Sequence, residues 1–242
     1  MTETKDGLLS PEGRVVMISG ANRGIGLAIA RRLHADGYSL SLGARRPDAL
    51  AEAVAGFAGE RVLQCRFDAR EKATAAAWVA ETAAHYGRLD GLVNNAGVLH
   101  LHAIDDYDED RLDESLEVNL KAPYRLTAAA LPHLRKCGTG RIVNVASRSG
   151  LTYISGSADY CISKFAEVAL THGARHEGWE DGVRATALCP GPTRTDMAGH
   201  RDPGEELTEP ETLAAIVSLA ISLPNAASVP ILAVCNDLNA GV

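Results

Sequence analysis

Tyr160 and Lys164 stand four residues apart in the run Asp159-Tyr160-Cys161-Ile162-Ser163-Lys164. On an α-helix that spacing stacks both side chains on one face, so a phenol lies beside an ammonium. Moving a phenol from its usual pKa of ~10 to ~7 takes about 4 kcal/mol of extra stabilisation of the phenolate, part of which a nearby positive charge supplies. Such a pair can pass a proton to or from a carbonyl or alcohol oxygen. Upstream, Ser147 closes the apolar run Val143-Asn144-Val145-Ala146. A hydroxyl there points towards the carboxyl edge of a sheet, where open α/β sheets bind ligands. Ser149 is its rival two residues on, read as a loop hydroxyl.

A second centre of chemistry lies near the start of the chain. The run Val15 to Ser19 leads directly into Gly20-Ala21-Asn22-Arg23-Gly24-Ile25-Gly26. Glycines there let the chain turn sharply and bring backbone N–H groups and a helix N-terminus against a pyrophosphate. The spacing is Gly-x-x-x-Gly-x-Gly rather than the commoner Gly-x-Gly-x-x-Gly. Where a carboxylate would accept from the hydroxyls of a bare ribose, the second apolar run ends in Gly43-Ala44-Arg45-Arg46. Two guanidinium groups, with Arg23 in the glycine turn, favour a 2′-phosphate. NADP(H) is the cofactor expected, with NAD(H) the alternative; Arg46, just before Pro47, also reads as a solvated turn residue.

These residues need a frame. Strand-length apolar runs recur at Val15 to Ser19, Ser39 to Ala44, Val62 to Phe67, Gly91 to Asn94, Ile142 to Ala146, Ala185 to Cys189 and Val229 to Val234. Helical patterns separate them, which implies a parallel sheet covered on both faces. Ile25, Ala28, Ile29 and Leu33 keep helical spacing until Gly37. Asp108 to Arg135 reads as one long helix that Pro123 kinks or restarts. Arg194 to Pro210 has little periodicity and reads as a loop able to close over a site. Residues 1–13 are expected to form a flexible N-terminal tail.

Composition narrows the partners. The chain of 242 residues carries 24 basic and 31 acidic side chains, net −7, without a basic block, which argues against nucleic acid and anionic membranes and for a small molecule. The stretch Leu213 to Leu223 is too short to cross a bilayer. Five scattered cysteines without a Cys-x-x-Cys suit a reducing, cytoplasmic setting.

Four separated motifs, in order, resemble those of the short-chain dehydrogenase/reductase family: Ser19 to Gly26, Asn94-Asn95-Ala96-Gly97, the set of Ser147, Tyr160 and Lys164, and Pro190-Gly191-Pro192-Thr193-Arg194-Thr195. The likeness runs from about Arg14 to Leu223. It implies an α/β fold with a single Rossmann-type, doubly wound, parallel seven-stranded sheet over residues 14–242, helices on both faces and a substrate lid near 194–210. It also implies hydride transfer between a nicotinamide and a carbonyl or secondary alcohol. Tyr160 would donate the proton, Ser147 would bond the same oxygen, and Lys164 would favour the phenolate and hold the nicotinamide ribose.

By the same resemblance Asn119 is a fourth catalytic residue that places a water in a relay to Lys164, although it also reads as a cap or kink beside Pro123. Gly20, Asn22, Arg23, Gly24, Ile25 and Gly26 would hold the pyrophosphate. Asp68 resembles the family's adenine-contacting acid. Asn95, Ala96 and Gly97 would lie beside the nucleotide, with Asn95 equally readable as a bracket between strands. Pro190, Gly191, Thr193 and Thr195 would meet the nicotinamide amide or diphosphate. Leu151, Thr152, Tyr153, Ile154, Val98, Leu99 and the region Met197 to His200 join Ser147 and Tyr160 as expected substrate walls. A homodimer or homotetramer through the long helices is implied too, while Ser228 to Val242 departs from the family's glycine-rich ending.

Two histidine groups carry less. His172 and His176 share a helical face but lack a third metal ligand of suitable spacing, so no metal is expected, and His100-Leu101-His102 with the acids after it reads as an exposed charged loop. The competing accounts are an alcohol dehydrogenase using NAD(H) and a nucleotide-binding regulator without turnover.

Overall fold

Side chains alternate across each strand, and in the runs Val15 to Ser19 and Gly91 to Asn94 both sets are buried, so neither face of the central sheet meets water. The computed structural model describes residues 4, 6–154, 156–199, 201–202 and 204–236. Its strands are β1 (Val15–Ser19), β2 (Ser39–Ala44), β3 (Val62–Arg66), β4 (Gly91–Asn94), β5 (Arg141–Val145), β6 (Arg184–Pro190) and β7 (Ile231–Val234). Its helices are α1 (Gly24–Asp36), α2 (Pro47–Ala53), α3 (Lys72–Tyr86), α4 (Glu109–Leu116), α5 (Ala122–Lys136), α6 (Ala158–Glu177) and α7 (Pro210–Ser222). All strand pairs are parallel, in the order β3-β2-β1-β4-β5-β6-β7. This is the expected doubly wound α/β sheet.

Val16 and Ile18 of β1 face one core with Ile29 and Leu33 of α1 and Leu213, Val217 and Ile221 of α7. Their neighbours Val15 and Met17 face the other, with Trp78 and Val79 of α3 and Leu126, Ala130 and Leu134 of α5. The strand order reverses between β1 and β4, and a crevice opens at the carboxyl ends of strands at such a switch point. The glycine turn leaves β1 there, Asn95 leaves β4, and Ser147 leaves β5.

Three expectations need correction. The long helix is broken not at Pro123 but before it, by a π-helical turn over Glu117–Lys121 that contains Asn119. Pro123 lies in the first turn of α5, immediately after that π turn. The tail is not loose throughout: Leu9 is buried and its N–H donates to Ser222 O at 2.7 Å. The unusual C-terminal segment still supplies a paired strand, which starts after Pro230 because proline lacks the donor a ladder requires. Residues 237–242, His200 and Pro203 lie outside the described residues. Among those described, no helix is long and apolar enough to cross a membrane.

Candidate active site

A single cleft of about 830 Å³ runs along the carboxyl edge of the sheet. At one end its wall holds Arg45, Arg46 and Asp68; Gly20, Asn22, Arg23, Gly24 and Ile25 form its floor. Beyond them come Asn95, Ala96 and Gly97, then Ser147, Tyr160 and Lys164, with Pro190, Gly191, Thr193, Thr195 and Met197 opposite. Residues far apart in sequence are thus gathered on one surface.

The glycine turn is built by close approach. Gly20 has φ +68°, a left-handed conformation that a side chain resists. Gly26 does not line the cleft. A Cβ on it would stand 2.4 Å from both Asn95 Nδ2 and Gly20 O, so this glycine serves packing within the turn and not contact with a ligand. Asn95 is the bracket between strands: its N–H donates to Ser19 Oγ at 2.9 Å and its Nδ2 to Ser19 O at 2.9 Å. No side chain caps the first turn of α1 at Arg23. Its N–H groups therefore remain open to an anion. Arg45 and Arg46 are exposed and have no carboxylate partner among the described residues, whereas Arg23 is already paired with Asp196 of the loop after β6 at 2.7 Å.

The loop after β6 is seated at its root. Thr193 and Thr208 form a bridge, Arg194 N donates to Thr208 O at 2.9 Å, and Thr208 N donates to Pro192 O at 2.9 Å. Thr195 comes down over the glycine turn, its Cγ2 lying 3.3 Å from where a Cβ on Gly24 would be.

Ser147 sits just past β5 and its Oγ accepts the Ser149 N–H at 3.0 Å. Tyr160 and Lys164 lie in the first two turns of α6, with the Lys164 Nζ 5.6 Å from the centre of the Tyr160 ring. The ammonium is almost wholly buried. It donates to Val145 O at 2.9 Å and to the carboxylate of Glu167 at 2.7 Å. Burial opposes its charge most strongly, but the Glu167 carboxylate, Tyr160 and Cys189 together lift the Lys164 pKa. Glu167 is also pushed up, to about 7, because burial outweighs the help of the ammonium.

Asn119 is fully buried and not among the cleft walls. Its Oδ1 accepts the Val98 N–H at 2.9 Å, while its Nδ2 donates to Val98 O and to Ser163 Oγ, each at 3.0 Å. The side chain thereby ties the segment after β4 to α6, and the π turn is what presents it. Leu151 and Tyr153 are absent from the cleft. Leu151 packs against the small core of Ala146, Val168, Ala187 and Cys189, and Tyr153 is exposed. The turn following β5 swings them away, whereas Ile154, Val98 and Leu99 do line the cleft, joined by Leu101 and Arg201.

Several residues of the site escaped sequence reasoning. Glu167 is the foremost. A buried amide ladder supports it: Asn94 Nδ2 donates to Asn144 Oδ1 at 2.8 Å, Asn144 Nδ2 to Thr171 Oγ1 at 2.7 Å, and that hydroxyl to Glu167 O at 2.9 Å. His102, expected on an exposed loop, is buried with Nε2 3.0 Å from Asp159 Oδ2, next to Tyr160. The loop's Asp105 and Asp106 are exposed as expected. Among the described residues no three metal-ligating side chains assemble, at His172 and His176 or elsewhere.

Residues 14–206 match the family model described as short chain dehydrogenase. The chain is 41% identical over 219 residues to an agropine synthesis reductase of Rhizobium rhizogenes, a match covering 89% of this chain and 51% of that protein, so it spans about half that relative's length. An uncharacterised oxidoreductase of Staphylococcus saprophyticus is 32% identical over 228 residues, 89% of this chain and 93% of its own. Among solved structures, a short chain dehydrogenase from Burkholderia cenocepacia in complex with NADP superposes with a TM-score of 0.84 at 28% identity, covering 93% of this chain and 97% of that one. A short-chain dehydrogenase from Streptomyces avermitilis gives 0.83 at 29% identity, over 92% and 88% of the two chains.

Proposed function

The chain belongs to the short-chain dehydrogenase/reductase family of oxidoreductases, and from that premise we propose that it reduces a carbonyl compound to a secondary alcohol with NADPH. The observation that carries this reading is the presence of Ser147, Tyr160 and Lys164 in one cleft with the glycine turn and the Arg45–Arg46 pair. The residues fit the cofactor: an uncapped helix start for a pyrophosphate, and two unpartnered guanidinium groups for a further phosphate. When bound, it supplies the hydride.

The chain's own residues handle the oxygen. Tyr160 donates its hydroxyl proton to the substrate oxygen as that atom gains negative charge, and Ser147 shares the charge through a second hydrogen bond. Lys164 stabilises the phenolate left behind and keeps an N–H for the nicotinamide ribose. Asn119 acts as a positioning residue, holding the segment after β4 against the helix that carries both catalytic side chains. Reduction is supported by the likeness to an agropine synthesis reductase. The exposed apolar side chains Tyr124, Ile162 and Phe165 on α5 and α6 support a homo-oligomer, and five unpaired cysteines support a cytoplasmic setting.

A panel of carbonyls and alcohols followed by nicotinamide absorbance with both cofactors tests the reading. Tyr160→Phe should lose ~10²–10⁴-fold in turnover with nucleotide binding intact. Full activity in that variant removes the proposed proton donor, and tight nucleotide binding without conversion of any panel member favours a regulator.

A further inference from the structure

Lys164 does not meet Tyr160 as a lone positive charge. Its Nζ is 2.7 Å from the Glu167 carboxylate, and Glu167 is only 2% exposed. The two residues form an ion pair one helical turn long, with Tyr160 on the same face: offsets of 4, 7 and 11 from Tyr160 reach Lys164, Glu167 and Thr171. Of three ammonium N–H groups, one goes to Glu167 and one to Val145 O. One remains for the cleft.

The surroundings leave Glu167 as the carboxylate that answers this ammonium. The titratable groups facing the pair are Tyr160 on its own helix and Cys189 of β6. Burial pushes the Cys189 thiol up to about 11, so it is neutral at ordinary pH. From β5 comes the Val145 carbonyl, and from the π turn the uncharged Asn119 by way of Ser163. Asp159, adjacent to Tyr160, is taken up by His102. Packing alone does not call for a carboxylate here, since replacing a buried charge pair with apolar groups is often neutral or stabilising.

We propose that Glu167 is a positioning residue of the proton-transfer site, which pairs with Lys164 and so sets how much positive charge Tyr160 experiences. The unit that governs the phenol is then Tyr160, Lys164 and Glu167 together. With Glu167 ionised, its carboxylate holds the proton on the buried ammonium and keeps that charge beside the phenol. With Glu167 removed, burial strips the proton at a lower pH and the phenolate loses its support. The inference rests on Tyr160 being the proton donor of the proposed reaction, although its first test does not.

That test is the tyrosinate absorbance of the cofactor-free protein during an alkaline titration, with the Tyr160→Phe trace subtracted to isolate one of six tyrosines. In Glu167→Gln, which keeps size and hydrogen bonding but lets burial discharge Lys164, Tyr160 should ionise about one pH unit higher than in the parent. Glu167→Leu, which lacks both charge and polar atoms, should move it the same way and stands in if the first variant fails to fold. The pH profile of turnover should shift in parallel, with nucleotide affinity unchanged. Coincident Tyr160 titrations in the parent and a folded carboxylate-free variant overturn the proposal and leave Glu167 a packing partner. Retained turnover in Tyr160→Phe would instead defeat the proposed reaction, while the absorbance result on Glu167 would stand.

Discussion

Replacing Arg45 and Arg46 together by alanine should separate the two nicotinamide cofactors. Both side chains are exposed at the rim of the cleft and engage no carboxylate among the described residues, so their loss breaks no ion pair and should leave the fold within ~0.5 kcal/mol of the parent. A charge-assisted hydrogen bond to phosphate is worth ~1.5–3 kcal/mol when sheltered. Rim exposure reduces each to roughly 1–1.5 kcal/mol. The pair then contributes about 2–3 kcal/mol, or ~30–150-fold in the Kd for NADPH. Arg23 adds little to that figure while Asp196 holds it at 2.7 Å. NADH has no 2′-phosphate, and its affinity should not change. Calorimetric titration of the free protein with each nucleotide reads both numbers, and added salt should weaken NADPH in the parent more than in the variant. Equal parental affinities for NADH and NADPH, or equal losses for both in the variant, would refute the reasoning.

Gly26→Ala places a methyl group 2.4 Å from Asn95 Nδ2 and Gly20 O. The turn must shift, so a loss of ~1–3 kcal/mol is expected in thermal melts, with weakened nucleotide binding; an unchanged melt and affinity would contradict the packing role. Stability should also depend on pH through Glu167. Burial raises its pKa from 4.5 to about 7, so the folded chain keeps a proton that the unfolded chain has released. The stabilisation is complete below 4.5 and is lost as pH rises through about 7, a fall of about 3 kcal/mol at ~1.36 kcal/mol per unit. Urea unfolding at about pH 5 and about pH 8 should reveal that fall in the parent and its absence in Glu167→Gln; the same difference in both chains would count against it.

What could be read in the sequence was local. A strand, a glycine turn and the first helix follow one another without interruption from Val15 to Gly37, so the phosphate end of the cleft is written in consecutive residues. Tyr160 and Lys164 share one helix, and spacing alone pairs them. Glu167 was equally close in sequence but hidden by its type, since glutamate on a helix normally faces water. Its helical offset from Tyr160 was the signal that could have found it. Leu151 and Tyr153 were misplaced because the path of a turn after a strand is not set by local pattern. Arg14 and Arg141 show the same limit: both are buried and donate to the carbonyls of Ile221, Thr139, Leu223, Gly140 and Gly182. All of these but Gly140, the neighbour of Arg141, come from distant segments, so composition gave no hint of them. Burial and the two neighbouring guanidinium groups, Arg14 and Arg184, bring the Arg141 pKa down to about 9.

Glu117–Lys121 winds more widely than the helices on either side of it. Wound as regular α-helix instead, the same five residues would join α4 and α5 into one spiral and carry everything downstream about 100° further round the axis. Leu126, Ala130 and Leu134 would swing off the sheet that they cover. The five residues therefore work as a phase adjuster between two gear trains, one meshed with the segment beyond β4 and the other with the hydrophobic floor, and Asn119 sits where the teeth of both engage.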